Sequence, residues 1–414
     1  MSTSSTDGNL LLSASPSTSL SSPSTVVGTS TSNHHSAIVP NKPVSELRQE
    51  PYNMPRGFEW CDVDVLDTTQ CSEVYELLSK NYVEDDDCMF RFDYSPDFLR
   101  WALTPPHFRK EFHLGVRSSK NGKLVALITG VPATVRAHQS EMSMVEINFL
   151  CVHKRLRSKR LAPVLIKEIT RRVNHSGVFQ AVYTAGVTLP VPVASCRYHH
   201  RSLDPRKLVD VKFSQVPPRM TLARMHKLNK LPTTVSTPGL RPMTREDVPS
   251  ARKLLQEYHA RFKLCVHFTD DEFAHWILPR EGVIDTYVAC NGGGKDDNEA
   301  QNDDTPALKE EVTDMISFYH LPSAILGHPR HTHLRAAYSF YNVATSVPLV
   351  DLMRDALILA KGKGSDVFNA LDQMENSSFL SELKFGIGDG TLKYYLYNWN
   401  CPTMENKDVG IVLL

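Results

Sequence analysis

No run of about 18 apolar residues, the length a membrane-spanning helix needs, occurs in this 414-residue chain. The best apolar stretch, Leu124 to Val135, is broken by Thr129, Gly130, Pro132 and Thr134, so a helical span is excluded. The start, Met1-Ser2-Thr3, lacks both a charged leader and a following apolar core, which argues against a secretory signal. It also lacks the glycine that N-terminal acylation of the chain itself would require. Charge of one sign is missing too. Lys plus Arg number 46 and Asp plus Glu number 46, for a net charge of zero. A protein built to coat nucleic acid or an anionic membrane would carry a basic excess, so neither partner is expected. The eight cysteines (61, 71, 88, 151, 196, 265, 290 and 401) contain no C-x-x-C pair. Scattered thiols read as reduced and buried, and a cytoplasmic location is expected. His331-Thr-His333 and His199-His200 stand without further spaced Cys or His, so no metal site is expected. No Gly-x-Ser-x-Gly or paired Cys/His pattern points to a covalent nucleophile.

What is present divides unevenly. Residues 1–40 hold 19 Ser or Thr, one charged residue (Asp7) and no aromatic. Such a segment cannot bury enough apolar surface to offset its ordering entropy, and a disordered tail is expected over 1–45. A second irregular stretch, 291–311, opens Asn-Gly-Gly-Gly and carries seven acidic residues against Lys295 and Lys309, a solvated surface loop by composition. The remainder reads as two similar halves, 46–236 and 237–414. In the first, alternation over Met144 to Val152 predicts a strand. A helix follows through Leu161, Val164, Leu165, Ile169 and Val173, then a strand over Val178 to Thr184. In the second, a strand over Ala336 to Val343 precedes a helix from Pro348 to Ala360 and a strand over Val367 to Leu371. Helices near Cys71 to Tyr82 and near Glu246 to Tyr258 open the two copies. The fold class is therefore mixed α/β with two pseudo-symmetric domains.

The copies differ where strand meets helix. The first has His153-Lys-Arg-Leu-Arg-Ser-Lys-Arg160 there, five basic residues in eight; the second has the neutral Thr345-Ser-Val-Pro348. Free backbone N–H groups and the positive end of the helix would meet Arg157, Lys159 and Arg160, an arrangement suited to pyrophosphate. Arg157-x-x-Arg160-x-Ala162 resembles the R-x-x-G-x-A acyl-CoA loop of GNAT-type acyltransferases, with Arg in place of Gly. Asn148 stands near the end of the preceding strand. If that strand splays, the N–H groups of Phe149 and Leu150 are free to meet a developing oxyanion. Glu84 to Asp87, flanked by Tyr82, Phe90 and Phe92, suggests either a solvated helix end or a seat for a cationic peptide. Lys384-Phe-Gly-Ile-Gly-Asp-Gly390 reads as a turn with close backbone approach, capped by Asp389. Apolar Val409 to Leu414 predicts an ordered inner strand whose α-carboxylate enters the interior.

Two segments then point to a family. Glu146-Ile-Asn-Phe-Leu-Cys-Val-His-Lys154 and Lys384-Phe-Gly-Ile-Gly-Asp-Gly390 resemble the two signature motifs of the glycylpeptide N-myristoyltransferases. The likeness runs from about Leu47 to Leu414 and includes Glu50-Pro-Tyr, Leu156-Arg-Ser-Lys-Arg, Tyr183-Thr-Ala-Gly and Gly239-Leu-Arg-Pro-Met. The resemblance implies two GNAT-like domains and transfer of myristate from myristoyl-CoA, a co-substrate, to the N-terminal glycine of peptides or nascent proteins. It implies that Phe149 and Leu150 form the oxyanion hole, with Cys151, Val152, Arg157, Ser158, Lys159, Arg160, Leu161 and Ala162 completing the CoA site. Asn148, Thr184 and the Leu414 carboxylate would handle the glycine amine. The peptide groove would be lined by Tyr82, Asp85, Asp87, Phe90, Phe92, Tyr94, Tyr198, His200, Ser323, Tyr338, Asn369, Asp389, Gly390 and Leu392. A monomer without a permanently bound cofactor or metal is expected. An F-W-x-T-Q-P-V-P segment common upstream in the family is absent, and His199 stands where Trp commonly follows the tyrosine. An active transferase and a catalytically impaired binder of acyl-CoA or peptide both stay open.

Overall fold

The computed structural model describes residues 35–83, 89–290 and 311–414. The first half contributes β1 (Phe58–Asp62), α1 (Thr68–Asn81), α2 (Pro96–Leu103), β2 (His113–Ser118), β3 (Leu124–Ala137), β4 (Ser140–Val152), α3 (Leu161–His175), β5 (Ala181–Ala185) and β6 (Ala194–Ser202). The second contributes β7 (Arg241–Pro242), α4 (Val248–His259), α5 (Asp270–Ile277), β8 (Ile284–Cys290), β9 (Val312–His320), β10 (Ala336–Ser339), α6 (Leu349–Gly362), β11 (Val367–Leu371) and β12 (Gly386–Tyr397). Local chemistry fixes the helix starts. Asp67 accepts from Gln70 N–H ahead of α1, and Ser95 accepts from Phe98 N–H with Pro96 in the first turn of α2. Thr269 and Glu272 form a reciprocal capping box on α5.

These strands join in one sheet in the order β1-β2-β3-β4-β5-β12-β6-β11-β10-β9-β8-β7. The order reads alike from either end. Two parallel pairs, β4 with β5 and β10 with β11, require crossovers, which α3 and α6 supply. At the centre the halves exchange their last strands: β12 lies against β5, and β6 lies against β11. The duplicated pattern is thus matched by a palindromic sheet. On one face α3 packs over β2–β4 and α6 over β9 and β11, each with its own apolar cluster. The largest cluster covers the opposite face and draws side chains from both halves, including α1, α2, α4, α5 and Val409 to Leu413.

Three expectations need correction. Within the stretch expected to be a disordered tail, residues 35–45 are ordered. Ser36 and Asn400 exchange backbone hydrogen bonds of 3.3 and 2.9 Å, Val39 N–H donates to Asn398 Oδ1 at 2.7 Å, and Val44–Glu46 forms a short 3-10 turn. Composition misjudged these residues because their partners are backbone and side-chain amides far along the chain. The segment Gly386 to Gly390 is not a turn but the start of β12, bulged between Ile387 and Thr391. The C-terminus is buried yet is not a strand; it makes one bridge, Val409 with Leu264. Residues 1–34, the acidic run Glu84 to Asp87, and 291–310 lie outside the described residues.

Candidate functional site

β4 pairs with β5 only at Val145 and Glu146. Beyond them the two strands part, and among the described strands β3 alone stays in register with β4 to its end. That register passes from Asn148 opposite Thr129 to Cys151 opposite Leu127, so Phe149 and Leu150 together face Ile128. This is a β-bulge, and Phe149 takes φ +50°. A left-handed backbone costs an L-residue roughly 1–2 kcal/mol. Burial of the Phe149 ring against Tyr94 and Tyr82, at 5.0 and 5.9 Å between centroids, holds it there. The Phe149 backbone N–H reaches the Tyr82 hydroxyl.

Under the parted strands lies a cavity of about 530 Å³. Its walls are Ile128, Val145 and Ile147 from the sheet, and Ile166, Ile169 and Val173 from α3. Phe179, Tyr183, Val187, Leu189 and Tyr397 line the far side. Asn148, Phe149, Leu150, Thr184 and Leu414 all line the same cavity, with Tyr82 beside them. An apolar chamber ending in a few polar groups is the shape a long acyl chain with a reactive head requires.

The C-terminal segment is held without a ladder. Gly410 N–H donates to Leu264 O at 2.7 Å, and Val412 N–H donates to the Tyr341 hydroxyl at 3.2 Å. Ile411 O accepts from Tyr394 Oη and Gln373 Nε2 at 3.3 and 3.4 Å. Gly410 has no room for a side chain, since a Cβ would lie 2.7 Å from the Phe262 ring. Leu414 N–H donates to the carboxyl of Glu146, which also accepts from Asn148 Nδ2 at 3.1 Å. Burial pushes the Glu146 carboxyl up to about 7 against the pull of these two bonds. Cys151, next to the bulge, is buried, and burial lifts its thiol to about 12 despite Arg157. It is a neutral thiol at pH 7 and a poor nucleophile.

The basic joint is a 3-10 turn, Lys154–Lys159, and Arg160 precedes α3 in the left-handed region at φ +54°. Ser158, Lys159 and Arg160 are exposed, whereas Leu161 and Ala162 are buried at the helix start and Val152 is half-buried. Arg157 Nη2 donates to Asn81 O at 2.8 Å, and Lys154 N–H donates to Asn81 Oδ1 at 3.0 Å, so the end of α1 sets the loop.

A second cavity, of about 300 Å³, gathers Phe90, Phe92, Tyr198, His200, Ser323, Tyr338, Asn369 and Gly390. His200 Nδ1 and Asn369 Oδ1 lie 2.7 Å apart, and burial lowers the imidazole pKa. A Cβ on Gly388 would lie 2.3 Å from His200 Nε2 and 2.9 Å from Tyr198 O, so the close approach read from the glycines is real. Tyr94 does not line this cavity; it is buried among Phe92, Phe98 and Phe149. Leu392 is half-buried against the main core, and Asp389 is exposed at the bulge of β12. Asp85 and Asp87 lie outside the described residues. Val83, Phe213, Leu334, Ala336 and Val367 complete the lining and were not foreseen, since each reads as ordinary core. Glu146 was also missed. Its spacing of two from Asn148 on one strand places both on one face, which was the available signal. Among the described residues no group of three or more His, Cys, Asp and Glu is placed to hold a metal, and no helix is long and apolar enough to cross a membrane.

Comparison with known proteins matches this geometry. Residues 37–196 match the N-terminal domain, and residues 210–412 the C-terminal domain, of the myristoyl-CoA:protein N-myristoyltransferase family. The chain is 56% identical to glycylpeptide N-tetradecanoyltransferase 2 of Bos taurus, over 92% of this chain and 72% of that protein. It is 53% identical to glycylpeptide N-tetradecanoyltransferase 1 of Arabidopsis thaliana, over 91% of this chain and 84% of that protein. The crystal structure of Saccharomyces cerevisiae N-myristoyltransferase with bound myristoyl-CoA superposes with a TM-score of 0.85 at 38% identity, covering 92% of this chain and 95% of that one. The chain belongs to the myristoyl-CoA:protein N-myristoyltransferase family, a family of acyltransferases.

Proposed function

We propose that the protein moves myristate directly from myristoyl-CoA to the N-terminal glycine amine of a peptide, without an acyl-enzyme. The observation that carries this reading is that Asn148, Phe149, Leu150, Thr184 and Leu414 share one apolar chamber. The acyl chain fills the chamber, and the thioester oxygen takes the N–H groups of Leu150 and Phe149 at the bulge, displacing the Tyr82 hydroxyl from the latter. The CoA phosphates lie along Ser158 to Arg160 and the start of α3. The peptide enters by the groove of Tyr198, His200, Tyr338 and Asn369. An α-amino group with a reference pKa of about 7.7–8.0 is mostly protonated at neutral pH. The Leu414 carboxylate takes one proton from it, while Asn148 and Thr184 orient the nitrogen. The C–N bond forms as the C–S bond breaks, and the second amine proton goes to the departing thiolate. The first half, 46–236, holds the acyl-CoA; the second, 237–414, supplies much of the groove and the base.

A single-turnover assay with myristoyl-CoA and an N-terminal-glycine peptide tests this. Transfer should be rapid in the intact chain. It should fall about 10²–10⁴-fold, the usual contribution of a general base, when several residues follow Leu414, with myristoyl-CoA still bound. Tight binding of acyl-CoA without transfer in the intact chain would identify an impaired binder. Near-normal transfer by the extended chain would move the base elsewhere.

A further inference from the structure

Glu146 belongs to none of the roles assigned above, yet it lies between two of them. It is on β4, two positions before Asn148 and on the same face, and its carboxyl accepts from Asn148 Nδ2 at 3.1 Å. The same carboxyl accepts from the backbone N–H of Leu414. Glu146 and Leu414 also wall a small cavity of about 30 Å³ behind the acyl chamber, with Trp276, Phe340, Tyr341 and Val412. His267 and Glu272 also reach this cavity, but most of its wall is apolar, and a half-buried carboxyl there is costly unless it is hydrogen-bonded. The two bonds it makes go to two groups that act on the amine. Leu414 has no strand ladder to hold it: the last paired residue is Val409, and Leu413 and Leu414 end the chain. A chain terminus frays unless tied down.

We infer that Glu146 is a positioning residue, which locks the C-terminal residue and Asn148 in one register so that carboxylate and amide meet the same amine. The inference rests on the reading of Leu414 as the base. Chemistry explains the residue type. A carboxyl carries acceptor lone pairs on both oxygens, even when one is protonated, and can hold two donors, whereas a glutamine turns one end wholly into a donor. A leucine offers no acceptor at all. Loss of the clamp leaves the acyl chamber intact, because its apolar walls come from other residues of β3, β4 and α3 and from Phe179, Tyr183, Val187, Leu189 and Tyr397, and it lets the terminal carboxylate wander. A misplacement of about 1 Å can cost a reaction about 10²-fold.

The test is a set of single-turnover measurements on the full chain with myristoyl-CoA and a glycine peptide. The variants are Glu146→Leu, Glu146→Gln, a chain lacking Leu414, and the combination of Glu146→Leu with that deletion. Glu146→Leu should slow transfer about ten- to hundredfold, with myristoyl-CoA affinity within about twofold of wild type. Glu146→Gln, which keeps one acceptor, should recover part or all of the loss. In the chain lacking Leu414, Glu146→Leu should add less than about a twofold further loss, because groups that act as a unit are not additive. Wild-type transfer by Glu146→Leu would overturn the inference while leaving the base intact. So would an equal loss with and without Leu414, or a parallel loss of acyl-CoA affinity. Normal transfer without Leu414 would instead sink the base, and this inference with it.

Discussion

Glu146 links folding to pH in an unusual direction for a carboxyl. Burial raises it to about 7 in the folded chain, from 4.5. Between those values the unfolded chain has given up a proton that the folded chain keeps. Stability contributed by the neutral form is thus lost as pH rises through this window, and levels off above it. The size is on the order of 3 kcal/mol at this one site. Glu146→Gln should flatten this slope, so its melting temperature relative to wild type should climb from pH 5 to pH 8. Parallel melting curves at both pH values would show that the carboxyl is solvated in the folded state. At this scale much of the site could be read from the sequence. Asn148, Phe149 and Leu150 share a strand end with a recognisable motif, and the apolar ending pointed at Leu414. Glu146 was passed over because a carboxylate in an alternating strand reads as solvent-facing, and it takes the arrival of Leu414 from the other end of the chain to cover part of it.

Elements show where local rules hold and where they give way. Periodicity and caps located α1, α4 and α6 to within a few residues, and β11 runs Val367 to Leu371 as the apolar run suggested. The start of β12 was misread, since three glycines in five residues mimic a turn. They serve instead to let β12 pass against Tyr198 and His200. Gly388→Ala puts a methyl group into that contact. It should raise KM for the peptide severalfold without altering myristoyl-CoA affinity, and unchanged peptide kinetics would show that His200 moves aside freely. The start of α3 offers the reverse case. Arg160 holds a left-handed conformation that glycine adopts at no cost, and its side chain caps nothing. Arg160→Gly should raise the melting temperature by about a degree or two. It should weaken myristoyl-CoA binding about tenfold if the guanidinium meets a phosphate, as a charge-assisted bond of about 1.5–3 kcal/mol would. Higher stability with unchanged affinity would assign phosphate binding to the backbone and to Lys159.

For the whole molecule, the exchange of β6 and β12 overrides any simple division at the middle of the sequence. The duplication was legible because each copy repeats its strand-helix-strand pattern. The exchange was not, because which sheet a strand enters depends on partners nearly two hundred residues away. Removing one half leaves β5 or β11 with an open edge and strips β6 or β12 of both neighbours. Residues 46–236 and 237–414 made separately should therefore be insoluble or unfolded, and should regain acyl transfer only when produced together. A soluble 46–236 fragment with a cooperative melt would show that the exchanged strand contributes little to either half.

The same exchange sets a timetable for synthesis. When the ribosome has made β6, neither of its sheet neighbours exists, and the nearer in sequence begins at Val367, 165 positions beyond Ser202. At about 5–20 residues per second, the strand waits on the order of ten to thirty seconds with both edges unpaired. Ala194 to Ser202, ASCRYHHRS, alternates buried with exposed positions only as far as Arg197, and it holds Arg197, His199, His200 and Arg201. Charge and imidazole on a waiting strand discourage pairing with other nascent chains. The most polar strand at the centre of the sheet is thus also the one that must remain single longest while the rest of the protein is being made.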